Sequence, residues 1–119
     1  MDEKGLKEAL DIFFEATNTA NAEMFAEVFH DDAHRYQIGD DGTLSIWDKP
    51  TFLNVIESIT ESWPAYNELL SIDFTSEDTA AVRLKVRVKN LIYTDILSFI
   101  RIDGKWMIIA KLTCGVPAQ

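Results

Sequence analysis

The amino-acid sequence predicts an α+β fold, with helices first and an antiparallel sheet after them. Apolar residues in the first part recur at helical spacing, and in the second part at every other position, as in a strand. Turn signals at Asp41-Gly42 and Asp103-Gly104 mark tight hairpins, where glycine supplies the positive φ that such turns need. Helices followed by a run of strands exclude the alternating order of a parallel sheet.

From Gly5 to Thr17, Leu6, Leu10, Phe13 and Phe14 fall on one helical face, with Lys7, Glu8, Asp11 and Glu15 turned outward. The stretch Asn18 to Asn21 interrupts the pattern, and Asn21 suits the N-cap of a short second helix. Its buried side carries Met24, Phe25, Val28 and Phe29. The period then changes: His34, Tyr36 and Ile38 alternate with Arg35 and Gln37 as one strand, and Thr43 to Trp47 returns as a second. Asp48 caps a third helix, with Pro50 in the first turn, where its missing N–H leaves no bond unmade. Phe52, Ile56, Ile59 and Trp63 line one face of that helix, and Pro64 ends it. Four strands follow, at Leu69–Thr75, Ala80–Lys89, Leu91–Ile102 and Lys105–Thr113.

The two-residue turns fix a register. From Asp103-Gly104, Arg101 faces Trp106, Phe99 faces Ile108, Leu97 faces Ala110 and Asp95 faces Leu112. Pairing Val88 with Leu91 sets Val86 opposite Tyr93, Leu84 opposite Asp95 and Val82 opposite Leu97. One face then carries Val82, Leu84, Val86, Leu97, Phe99, Ile108, Ala110 and Leu112, to be covered by the helices. Asp95 is the odd member of this face, and a carboxylate there must be hydrogen-bonded, paired or protonated. The opposite face interleaves Arg83, Lys85, Arg87 and Lys111 with Ile92, Ile96, Ile100, Met107 and Ile109. It is too apolar for free solvation and reads as a homodimer interface.

Bulk properties narrow the function. The 119 residues make one domain, 1–119, of ordinary globular composition with 47% hydrophobic and 26% charged residues. The net charge of −9 argues against nucleic-acid and anionic-membrane partners, which are bound through clustered lysine and arginine. Cys114, the lone cysteine, excludes an intrachain disulfide. With no signal-like or membrane-spanning segment, the expected location is cytoplasmic. No phosphate loop, nucleotide fingerprint or zinc spacing occurs, so no cofactor is assigned.

The order of elements, with Phe29-His30-Asp31-Asp32-Ala33 leading into the short hairpin, resembles nuclear-transport-factor-2-like domains. Within that superfamily the chain is similar to the SnoaL-like proteins and, more closely, to the family called putative lumazine-binding. The residues that carry this are Asp41-Gly42, Ser71-Ile72-Asp73, Ala80-Ala81-Val82, Tyr93-Thr94-Asp95 and Asp103-Gly104-Lys105-Trp106, followed by Ile109 and Lys111. The resemblance implies a cone-shaped curved antiparallel sheet packed against three N-terminal helices, a cystatin-like roll, and a dimeric small-ligand binder. Ketosteroid isomerase, a relative, would bring a carboxylate base, for which the early strand here offers His34 and Tyr36 instead.

The expected pocket lies between the helices and the inner sheet face. Asp95 is its candidate acid, or else a structural carboxylate bonded to a helix end or to Tyr36. His34 is a candidate base, or else a rim histidine. Tyr36, Trp47, Trp106 and Phe14 are the aromatic candidates for a ligand surface, or else core. His30, Asp32 and His34 alternate as metal-ligating types, but nothing in a helix-to-strand turn makes them converge, and no metal is assigned. The functions left open are a small-molecule-binding domain, an isomerase, cyclase or dehydratase using the same pocket, and a non-catalytic dimerisation domain.

Overall fold

Side-chain caps begin each helix. The computed structural model describes residues 1–119. Helix α1 (Glu3–Thr19) starts where the Asp2 carboxylate accepts from the Gly5 amide at 3.0 Å. It stops at Ala20, whose φ of 49° is left-handed. Helix α2 (Ala22–Val28) is capped by Asn21, whose side chain accepts from Met24 at 3.1 Å. Strand β1 (Phe29–Ile38) and strand β2 (Leu44–Asp48) form a hairpin around Gly42, whose φ is 80°. Asp48 accepts from Thr51 at 2.9 Å and caps helix α3 (Lys49–Glu57). Strands β3 (Asn67–Ser76), β4 (Thr79–Val88), β5 (Leu91–Ile102) and β6 (Lys105–Pro117) complete the chain.

Helix α3 is shorter than its apolar spacing predicts. The Ser58 hydroxyl donates to the Val55 carbonyl at 2.6 Å and closes the last turn. Residues 58–66 then run without regular structure, so Ile59 and Trp63 lie beyond the helix although both stay half-buried. Lys49 ties α3 to the element before it. Its ammonium donates to the carbonyls of Ala26 (2.9 Å) and Phe29 (2.8 Å) and pairs with Asp31 at 3.0 Å. A cation thus meets the carbonyl end of α2.

The six strands form one open, curved sheet in the order β2-β1-β6-β5-β4-β3. Neighbours are antiparallel except β1 and β6, which run parallel. Asp103 (φ 52°) and Gly104 (φ 76°) make the predicted tight turn between β5 and β6. The β4–β5 register is also the predicted one, with Val82 opposite Leu97, Leu84 opposite Asp95 and Val86 opposite Tyr93.

The β5–β6 register holds only from the turn to Phe99–Ile108. There β6 carries one extra residue, Ile109, and pairing resumes at Ser98–Ala110, Leu97–Lys111, Ile96–Leu112 and Asp95–Thr113. A strand that slips by one residue exchanges its faces. Ala110 and Leu112 therefore leave the predicted core face, Leu112 being 51% exposed, while Lys111 and Thr113 turn inward. Strand β1 has an irregularity of its own between Phe29, which pairs with Ile108, and His34; beyond it His34 pairs with Ala110, Arg35 with Lys111 and Tyr36 with Leu112. Arg35 faces inward, and His34 and Tyr36 face outward.

The core lies between the inner sheet face and the helices. Leu6, Leu10, Phe13 and Ala16 of α1 meet Val82, Leu84, Leu97, Phe99 and Ile108 of the sheet. Phe13, Phe25, Phe29 and Phe52 pack edge-on or tilted, with centroids 5.0–6.4 Å apart. Each such ring contributes roughly 1.5–3 kcal/mol by leaving water. No helix is long and apolar enough to cross a membrane.

The carboxylates of Asp2 and Asp48 lie below their ordinary value of 3.8, held down by the helix-capping hydrogen bonds from Gly5 and Thr51 respectively. A depressed folded value means that the stabilisation is complete above 3.8 and is lost as pH falls through the lower folded values. Thermal melts should therefore keep this contribution down to that pH and lose it below. An Asp2→Asn, Asp48→Asn double variant should show a shallower acid decline, and an unchanged decline would contradict this assignment.

Candidate functional site

Three rows of residues run across the inner sheet face, each read off the strand pairings. The first is Val82, Leu97, Lys111, Arg35 and Trp47, from β4 to β2. The second is Leu84, Asp95 and Thr113, and the third is Val86, Tyr93 and Gly115. The first two rows bring a carboxylate, an ammonium, a guanidinium and a hydroxyl together on a face that is otherwise apolar.

Asp95 has no solvent exposure. One carboxylate oxygen accepts from the Thr113 hydroxyl at 2.5 Å. The other has no hydrogen bond and lies 3.6 Å from the Lys111 ammonium, whose side chain is 12% exposed. Lys111 also sits 5.0 Å from the Phe52 ring centroid, close enough for a cation–π attraction.

Arg35 is 5% exposed and sits over Trp47, its guanidinium carbon 3.5 Å from the ring centroid. Its terminal nitrogens donate to Gln37 (2.7 Å) and Ser45 (3.0 Å), and its Nε makes no hydrogen bond. Burial lowers its pKa, with Tyr93 opposing, yet the guanidinium stays charged. Burial pushes the Tyr93 phenol up; Arg35 pulls it down and Asp95 adds to the rise. Gly115 lets that ring lie where it does, because a Cβ there would stand 2.8 Å from Tyr93 Cε1.

These groups edge a cavity of about 260 Å³ between α3, the segment after it and the sheet. Phe52, Ile56, Ile59, Val86, Leu91 and Tyr93 give apolar walls; Arg35, Lys111 and Thr113 give the polar side.

The structure brings some predicted site residues here and not others. Asp95 lies beneath the cavity through Thr113 and Lys111, and Trp47 lines it, although the face of Trp47 on Arg35 is already covered. His34 and Tyr36 are on the other side of the sheet. His34 pairs with Ala110 and Asp48, and its Nδ1 is 3.0 Å from the Asp32 carbonyl oxygen. Trp106 is buried at the far end of the sheet, where its indole donates to Asp2 at 3.0 Å and packs on Phe74. Phe14 packs against Phe13 and is absent from the cavity wall.

Arg35, Lys111, Thr113 and Tyr93 were not among the predicted site residues. Tyr93 could have been found, since the predicted register already set it opposite Val86 and two residues from Asp95. Lys111 and Thr113 required the extra residue at Ile109, and Arg35 the phase of β1.

Solved structures of the nuclear-transport-factor-2-like class share this fold. An NTF2-like protein of unknown function from Shewanella baltica superposes with a TM-score of 0.89 at 20% identity, over 97% of this chain and 94% of that one. Another, from Methylobacillus flagellatus, gives 0.85 at 21% identity, over 97% and 92%. A ketosteroid isomerase-like protein from Erwinia carotovora gives 0.77 at 18% identity, over 98% of each chain. At these identities the likeness is one of fold. No curated protein matches the chain significantly. Residues 1–112 match the family described as "Putative lumazine-binding", and the chain belongs to that family.

Removing one partner of a buried ion pair leaves the other charge uncompensated, at a cost of about 3–5 kcal/mol when burial is complete. Lys111→Met should therefore destabilise by about 2 kcal/mol or more, the residual exposure of Lys111 reducing the effect. Adding Asp95→Asn should recover much of the loss. Urea denaturation of both single variants and the double variant measures the coupling, and strict additivity would show that the two side chains do not interact.

Proposed function

We propose that this chain is a small-molecule-binding domain whose ligand occupies the cavity under α3. The observation that carries this reading is the juxtaposition of an apolar cavity with a buried, incompletely hydrogen-bonded polar cluster. Ligand sites pair apolar walls with a few fixed polar groups in this way, typically in volumes of roughly 300–1,000 Å³. A cavity of about 260 Å³ suits a ligand of one or two rings. The family's description agrees with a bicyclic heterocycle of the lumazine type.

Ile59 lies on the irregular wall, outside the helix and the sheet ladder. Ile59→Trp should fill the cavity with little effect on the melting temperature of the free protein. Thermal-shift measurements with lumazine and other one- and two-ring compounds should show ligand stabilisation of the wild type that this variant loses. Ligands that stabilise both proteins equally would place binding elsewhere.

An enzymatic reading has one specific observation in its favour. The second Asp95 oxygen is buried with no hydrogen bond, which suits a group that takes or gives a proton at a carbon acid. In that reading Asp95 is the acid–base residue and His34, on the outer face, is not. The Asp95→Asn protein would keep an acceptor for Thr113 while losing the proton transfer.

The outer sheet face supports a homodimer. Arg83, Ile96, Leu112, Tyr36 and Ile46 form one cross-strand row from β4 to β2. Ile96 is 43% exposed and Ile46 52%. So continuous an apolar row is characteristic of an association surface. Ile96→Lys should convert a dimer into a monomer of unchanged secondary structure, as read by light scattering and circular dichroism. A wild-type monomer at micromolar concentration would end this reading.

A further inference from the structure

The buried charge around the cavity is positive in a protein whose net charge is −9. Lys111 is paired with Asp95, and Lys89, which also lines the cavity, is paired with Glu61 at 3.5 Å. Arg35 has no such partner. No carboxylate oxygen lies within the 4.0 Å of an ion pair, and its two hydrogen bonds go to a neutral amide and a neutral hydroxyl. A guanidinium has five N–H donors in a fixed plane, so these two bonds leave donors over, the buried Nε–H among them. A desolvated cation with only neutral partners is costly, and an anion beside it offsets that cost.

The group is also held rigidly. The Trp47 ring lies 3.5 Å from the guanidinium carbon, and Gln37 and Ser45 accept from its two terminal nitrogens. Each terminal nitrogen keeps one N–H beyond these bonds, and such a planar pair of donors matches the two oxygens of a carboxylate. Ile56, Ile59, Val86, Val88 and Leu91, with the Phe52 and Tyr93 rings, offer apolar surface to the rest of a ligand. The acidic exterior meanwhile disfavours polyanions.

We propose that Arg35 is an anion-recognition residue and that the cavity takes a small monocarboxylate with an apolar, ring-sized body. This rests on the binding reading of the cavity and specifies the class of its ligand.

The test compares 2-naphthoate with 2-naphthamide, which have the same ring system and differ in charge, by isothermal titration of the wild-type protein and of Arg35→Met. The wild type should bind the acid more tightly than the amide by about tenfold or more, the scale of a charge-assisted hydrogen bond. In Arg35→Met the acid-to-amide ratio should fall to about one. Equal binding of acid and amide by the wild type would overturn this inference and leave the cavity reading standing. A ratio that survives in a folded Arg35→Met protein would overturn the assignment to Arg35. Binding of neither compound would overturn both readings. The wild-type comparison decides the central point even if the variant fails to fold.

Discussion

One extra residue in β6 determines what the inner face of this sheet carries. With regular alternation, Ala110 and Leu112 would continue the apolar face and Lys111 would point to solvent. The bulge at Ile109 exchanges them. β1 pairs with β6 on both sides of that point, Phe29 with Ile108 and His34 with Ala110, and has an irregularity of its own between them; beyond it Arg35 lies inside next to Lys111. The polar cluster thus depends on the bulge in β6, which turns Lys111 and Thr113 inward to meet Asp95, and on the pairing of Arg35 with Lys111. Asp95 on an apolar face would be a severe defect without Lys111 and Thr113, and the bulge supplies both.

The inner face consequently has two ends of different chemistry. Towards Trp106, α1 closes it with the buried Leu6, Ala9 and Phe13, and Trp106 is buried too, with the half-buried Phe74 packed on it. Towards Tyr93 the cover is α3 and the irregular chain after it, which do not fill the space. Lys49 holds this second cover in place by bonding the last carbonyls of α2, so the position of α3 depends on one ammonium group meeting the end of another helix. The aromatic cluster of Phe25, Phe29 and Phe52 forms the boundary between the two ends.

Local chemistry explains which parts were legible in the sequence. Helix caps at Asn21 and Asp48, and the tight turn at Asp103-Gly104, are written in the residues that make them. The β4–β5 register follows from the turn at Lys89-Asn90, so the place of Asp95 on the apolar face was readable. The bulge was not, because Ile108-Ile109-Ala110-Lys111 contains no glycine, proline or other mark of an irregular strand. The phase of β1 was misread for a related reason. Hydropathy favours Tyr36 and Ile38 inside over Arg35 and Gln37, and only the partners across β6 and β2 reverse that preference. Trp106 and Phe14 show the converse limit: an aromatic residue looks the same in sequence whether it faces a cavity or completes a core.

The irregular chain at residues 58–66 has a further consequence for how such a domain can diversify. The groups that would grip a ligand project from hydrogen-bonded strands, where a change of length shifts register and inverts faces. The groups that decide how much room there is, Ser58 and Ile59, belong to chain that answers to no ladder. Insertions, deletions and bulk changes can accumulate in that wall while the floor stays fixed. Recognition and capacity are therefore separable traits in this architecture, and relatives with the same floor can differ widely in the size of what they admit.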